Sequence, residues 1–216
     1  MKSLAHLCAR LSRLAYEDNP NFRNPRWRGM DQTMVAQFDC DGTQAFISTD
    51  FSGRLFLVFR GTEEIADIKA DLRYVKVDFP GRGRVHAGFY TAFRKVQDDI
   101  AVELQNHHDK TWIFTGHSLG AALALLATAT WGPDAVYLYG CPRVGNAAFV
   151  QNFSVNRFEN RGDIVTRLPP PTSPLQIWHS LRHGRRPTLY RHAGKRVRLS
   201  GFGHRMENYE AATAEM

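Results

Sequence analysis

This sequence predicts an α/β fold: a central, mostly parallel sheet flanked by helices. Three observations carry that expectation. Short apolar runs of strand length alternate with segments whose apolar residues recur at helical spacing. One such run, Trp112 to Phe114, passes at once through a glycine-flanked turn into a helix of small residues. No segment repeats and none has a linker's composition, so the 216 residues read as one domain, 1–216.

Taken in order, Leu4, Leu7, Leu11 and Leu14 mark an amphipathic helix over 2–16. QAFIST (44–49) and RLFLVFRGT (54–62), parted by Asp50 to Gly53, read as a strand pair. EEIADIKADL (63–72) sets Ile65, Ile68 and Leu72 on one helical face, and a Gly/Pro break at FPGRG follows. TAFRKVQDDIAVELQNHH is a second amphipathic helix. TWIFTG is a strand, Leu119 to Thr130 a helix, and AVYLYG a buried strand after the WGPD turn. FVQNF closes a short helix, and VNRFEN is a strand ending at Arg161-Gly162-Asp163. TLYRHAGKRVRLSG suggests a strand pair around Ala193-Gly194, and MENYEAATA is the final helix.

Composition excludes several classes of protein. Hydrophobic residues at 43% and charged ones at 23% suit a folded soluble chain, and no stretch reaches the roughly 20 apolar residues of a membrane helix. The amino-terminal segment is interrupted by His6 and Arg10, which is poor for an export signal. Cys8, Cys40 and Cys141 are odd in number and widely spaced, so they read as free thiols rather than a disulfide or zinc framework. The expected location is therefore cytoplasmic, or outside the cell by a route without a recognisable signal peptide. A net charge of +7 comes with no nucleic-acid motif, so no nucleic acid is expected as a partner.

The chemistry centres on TGHSLG, residues 115–120. A serine between glycines two positions away on either side, after a strand and before a helix, is the context of a nucleophile elbow. The turn crowds its neighbours, which the glycines relieve, and the helix aims its free N–H groups at charge developing beside Ser118. In this architecture the triad runs serine, acid, histidine along the chain, which excludes His117 and every earlier histidine as the base. Among later acids, Asp134 precedes its strand and Glu159 lies within one, whereas Asp163 follows its strand at the edge where such sites assemble. His179, His183, His192 and His204 follow Asp163. His183 and His192 lie in an arginine-rich run and read as solvated, whereas His204 follows the flexible GFG and opens the last helix, free to turn toward Ser118. His86 reads as structural.

LVFRGT, VHAGF, FTGHSLGAALA, YGCPRVGN, NRGDIVTRLPP and GHRMENY, in that order across residues 55–209, resemble the class 3 lipases, the fungal-type group of the α/β-hydrolases. The resemblance implies Ser118 as nucleophile, Asp163 as acid and His204 as base. It also implies an oxyanion hole built from the amide and hydroxyl of Thr62 and the amide of Leu119. Gly203 stands where many relatives carry an aspartate, which removes a nearby charge and leaves the triad intact. Fungal relatives carry a helical lid where EEIADIKADL lies, and that segment fits a fixed helix and a mobile lid equally.

The expected activity is carboxylic ester hydrolysis through an acyl-serine, needing neither metal nor organic cofactor. The resemblance implies triacylglycerol or glycerophospholipid as substrate. Feruloyl-type esters, or a non-catalytic relative binding lipid or a protein partner, are the alternatives. Between Leu168 and Ser200 the charged residues are Arg182, Arg185, Arg186, Arg191, Lys195, Arg196 and Arg198, without an acid. With Leu175, Ile177, Trp178 and Leu181 nearby, the stretch predicts peripheral docking on anionic lipid surfaces.

Overall fold

The structure, a computed structural model, describes residues 3–62, 75–172, 177–178, 181–184 and 187–216. Its centre is a seven-stranded sheet in the order β1-β2-β3-β6-β7-β9-β11. The strands are β1 (Gln32–Cys40), β2 (Thr43–Asp50), β3 (Leu55–Phe59), β6 (Trp112–His117), β7 (Ala135–Tyr139), β9 (Asn156–Arg161) and β11 (Lys195–Phe202). The pairs β1–β2 and β2–β3 are antiparallel; from β3 onward every neighbour is parallel.

Both faces of this sheet are covered, which is why LFLVF in β3 is an unbroken apolar run rather than an alternating one. Leu55, Leu57 and Phe59 join Phe114, Leu138 and the apolar residues of α3 (Ala87–Asn106) and α4 (Leu119–Trp131) in one core. Phe56 and Val58 face the other way, toward α1 (Leu4–Leu14) and α6 (Met206–Ala214). Helix α1 begins at Ser3, whose side chain accepts the His6 amide at 3.2 Å, and it buries the Leu11 and Leu14 face predicted for it.

A second, smaller antiparallel sheet has the order β10-β8-β5-β4. It comprises β4 (Lys76–Phe79), β5 (Gly83–His86), β8 (Gly145–Asn146) and β10 (Tyr190–Arg191), with the short α5 (Ala147–Val150) beside β8. This overturns the expected strand pair around Ala193-Gly194. Strand β10 pairs with β8 in the small sheet while β11 pairs in parallel with β9 in the large one. Gly194, at φ +64°, lets the chain pass between them. Helix α2 (Pro20–Arg28) and β1 had no counterpart in the sequence reading. The segment EEIADIKADL, with Leu175, His179, Arg185 and Arg186, lies outside the described residues.

Parallel strands send their carboxyl ends to one edge. The chain emerging from β3, β6, β7, β9 and β11 at that edge contains Thr62, Ser118, Gly140, Asp163 and His204.

Candidate active site

Ser118 sits between β6 and α4 at φ 58° and ψ −123°, a conformation L-residues seldom adopt and one that costs on the order of 1–3 kcal/mol. The surroundings hold it there. Its amide donates to the Tyr139 carbonyl at 3.0 Å, and its carbonyl accepts the Ala121 amide at 3.1 Å. Gly120 explains the motif's second glycine: a Cβ there would stand 2.2 Å from the Phe59 carbonyl oxygen, so only glycine lets α4 approach the end of β3. Gly61 makes the reciprocal approach, its absent Cβ lying 2.5 Å from the His117 oxygen. These contacts bring Thr62 beside the elbow.

Asp163 and His204 come from different strands and meet. His204 Nδ1–H donates to Asp163 Oδ2 at 2.8 Å, which leaves Nε2 as the ring's lone-pair atom. Tyr209 O–H donates to the same carboxylate oxygen at 2.5 Å, and the Val165 amide donates to Oδ1 at 2.9 Å. Burial acts to raise the Asp163 pKa. The bond and charge of His204, the Tyr209 hydroxyl and the Val165 amide outweigh it, so the carboxyl is held below its usual range. Gly140, at φ +57°, passes directly beneath the pair: a Cβ there would lie 2.9 Å from His204 Cε1 and 3.0 Å from Asp163 Oδ2.

His117 has a job that the sequence did not reveal. Its Nε2 lies 2.7 Å from the His204 carbonyl, which can only accept, so Nε2 carries the proton and Nδ1 accepts from Tyr16 O–H at 2.8 Å. The two imidazoles lie with centroids 4.5 Å apart, tilted by 32° to each other. Burial, then the neighbouring His204, push the His117 pKa down to about 3, so the ring stays neutral and keeps this tautomer. The end of α1 thereby fixes the backbone of the His204 loop through one histidine. Gly201 and Phe202 belong to β11, so the approach to His204 is a strand and not the flexible GFG expected; Gly203 alone takes a left-handed turn, at φ +77°.

Buried polar atoms without a partner are uncommon in folded proteins. Among the described residues, Thr62 Oγ1, Ser118 Oγ and His204 Nε2 are three of them, all at one sheet edge. Leu119 opens α4, where first-turn amides have no partner inside the helix. Ser118 Oγ and His204 Nε2 do not bond each other here; such bonds are often loose before substrate arrives.

Other candidates are engaged elsewhere. Asp134 accepts the Trp112 amide at 2.8 Å at the opposite edge, and Glu159 is held by Arg157 and Arg196. His86 caps α3 through the Phe89 amide. His183 is exposed, as the sequence suggests. His192 is half-buried rather than fully solvated: its ring bonds the Thr166 backbone, and burial, followed by the charges of Arg157 and Arg143, pushes its pKa down to about 3. Sequence reasoning missed Tyr209 as well. Its signal was a tyrosine on the buried side of a helix that begins directly after the candidate base.

With this geometry in view, comparison with known proteins is direct. The family model for class 3 lipases matches residues 56–173, more than half of the chain. The chain belongs to the class 3 lipase family. A lipase of Rhizomucor miehei is 33% identical over 142 residues, covering 56% of this chain and 39% of the relative. Secreted mono- and diacylglycerol lipase A of Penicillium cyclopium is 33% identical over 144 residues, covering 59% and 47%. These matches span less than half the length of those two lipases. The crystal structure of a lipase from Rhizopus microsporus var. chinensis superposes with a TM-score of 0.70 at 26% identity, over 90% of this chain and 72% of that one. The α/β-hydrolase fold of this class 3 lipase family member follows from the sheet and from these neighbours.

Proposed function

We propose that this chain is a serine carboxylic ester hydrolase acting on lipid esters through an acyl-serine. One observation carries the reading: Thr62 Oγ1, Ser118 Oγ and His204 Nε2 are buried without partners among the described residues, at the edge where Asp163 anchors His204. In the reaction, Ser118 Oγ attacks the ester carbonyl carbon while His204 Nε2 takes its proton. Asp163 stabilises the imidazolium, and Tyr209 holds Asp163. The oxyanion receives the amides of Thr62 and Leu119 and the Thr62 hydroxyl. Collapse expels the alcohol with the proton from His204, and water then releases the acid by the same steps in reverse.

The names of the relatives support glycerides as the substrate class, and glycerophospholipid is the nearest alternative. The exposed Ile177, Trp178 and Leu181, with Arg182 stacked 5.1 Å over Trp178, support docking on an anionic lipid surface. Release of acid from p-nitrophenyl esters of graded length, beside triolein and phosphatidylcholine, tests the activity. Turnover rising with acyl length and present on triolein supports a lipase. No release from any ester contradicts the hydrolase reading. Replacing Trp178 by Ser and Arg182 by Glu should lower turnover on anionic vesicles alone, in a salt-dependent way; equal turnover there removes the docking role.

A further inference from the structure

Helix α6 covers one face of β9 and β11, through Phe158 and Leu199. The other face floors an open cleft of about 1020 Å³, distinct from the elbow side of Asp163. Strand alternation puts Arg157, Glu159 and Arg161 of β9 on that floor beside Arg196 and Arg198 of β11, whose register pairs Arg196 with Arg157 and Arg198 with Glu159. Arg143, Arg167 and His192 form the walls.

The charges here do not balance. Glu159 serves Arg157 and Arg196, and Asp163 is committed to His204 and Tyr209. Arg143 spends its guanidinium on the carbonyls of Arg167 and Pro169. Arg161, Arg167 and Arg198 are exposed and have no carboxylate partner among the described residues. Arg198 stands opposite Glu159, two residues before Arg161, and the arms of Arg161 and Arg198 line the same cleft as Arg167, across an irregularity in β11 beyond Arg198. The depressed His192 pKa reports the same positive field: after burial, the largest contributions are the charges of Arg157 and Arg143. The part of that shift contributed by the arginines marks a positive field, which favours an anion.

Planar guanidiniums bind oxyanions in a forked geometry, and three of them call for a ligand with several acceptor oxygens and about two negative charges. A phosphate monoester has both. We propose that the β9–β11 cleft is a phosphate-binding site, with Arg161, Arg167 and Arg198 as its ligands. The phosphate is either free in solution or the terminal monoester of a lipid headgroup. Binding does not depend on ester hydrolysis, so the site is testable in Ser118→Ala protein.

The experiment uses the full chain at constant ionic strength, titrated with inorganic phosphate, with glycerol 3-phosphate, and with vesicles carrying phosphatidic acid or, at equal surface charge, phosphatidylglycerol. Unfolding temperature and calorimetry read the affinity, and ring NMR signals of His192 and His183 read the location. The site predicts that phosphate raises the unfolding temperature and moves the His192 signals but not those of His183. It also predicts that Arg161→Gln with Arg167→Gln weakens binding at least tenfold. Response to the soluble monoesters with no preference between the vesicles identifies a free phosphate; preference for phosphatidic acid over phosphatidylglycerol identifies the headgroup. If inorganic phosphate and the monoester leave both the unfolding temperature and His192 unchanged, and the two vesicles bind alike, the proposal is wrong. Undiminished binding in the double variant also overturns it, and the His192 readout on protein with both arginines intact stands even if that variant misfolds.

Discussion

Two polar regions share Asp163, and they settle their charges in opposite ways. On the elbow side each titratable group has a defined partner: His204 and Tyr209 on Asp163, His117 on the His204 carbonyl, Tyr16 on His117. Among the described residues, the atoms left open there include three neutral ones, the Thr62 and Ser118 hydroxyl oxygens and His204 Nε2. On the β9–β11 side, guanidiniums outnumber carboxylates, and three of them have no carboxylate partner among the described residues. A closed network with a few neutral gaps holds geometry for a reaction, whereas an open surplus of charge waits for a counter-ion from outside.

The largest effects should come from breaking the closed network at its centre. Asp163→Asn keeps the shape but removes the anion and disturbs the His204 tautomer, so kcat/KM on a soluble ester should fall on the order of 10³-fold or more with the fold retained, read by circular dichroism. A loss of only a few-fold would mean that the carboxylate merely fills space. Next in size, Thr62→Val keeps the amide and deletes the hydroxyl. It should cost about 10²-fold in kcat with little change in KM. A rise in KM alone would reassign Thr62 to the pocket lining.

Smaller still is the effect of loosening the support. Tyr209→Phe removes a hydrogen bond to a charged group, which is worth roughly 1.5–3 kcal/mol. We expect about a tenfold drop in kcat if part of that loss reaches the transition state, together with an acid unfolding midpoint moved to higher pH. The sign follows from Asp163, whose lowered pKa contributes stability that is complete above the unfolded carboxyl range and lost as pH falls through the folded value. An unmoved midpoint would show that Tyr209 does not stabilise the carboxylate.

The smallest effect separates the two sides by pH. His117 and His192, one on each side, are held neutral down to about 3 from an ordinary 6.5. Below about 6.5 the unfolded chain takes up protons that the folded one refuses, so stability is full above that value and declines down to about 3. Each histidine adds a slope approaching about 1.4 kcal/mol per pH unit. Changing His192 to Gln should flatten the dependence of unfolding temperature on pH between 6 and 4. A slope identical to that of the parent chain would mean His192 titrates freely.

The parallel core was readable because Trp112 to Phe114, AVYLY and LFLVF are continuous apolar runs of strand length, each ending in glycine or a turn. The meeting of Asp163 with His204 at the sheet edge that carries Ser118 was readable because chain order and strand ends restrict the choice. Tyr16 and His117 were not, since their bonds join residues 101 and 87 positions apart and no local pattern encodes them. Strands β8 and β10 were hidden because two-residue strands have no periodicity. The imbalance of the cleft was also out of reach. In sequence Arg161, Arg167 and Arg198 lie among other charges, and it takes the parallel pairing of β9 with β11, which sets Glu159 between Arg157 and Arg196, to show where the one nearby carboxylate is used.

The central claim is that Ser118 is an activated nucleophile. Incubating the chain with a fluorophosphonate and mapping the adduct by tandem mass spectrometry, beside Ser118→Ala, tests it most directly. The account predicts one stoichiometric adduct on Ser118, loss of ester turnover in step with labelling, and turnover in Ser118→Ala lower by on the order of 10³-fold or more. Ester turnover that survives complete labelling, or Ser118→Ala protein retaining a tenth of the parent activity, would contradict it.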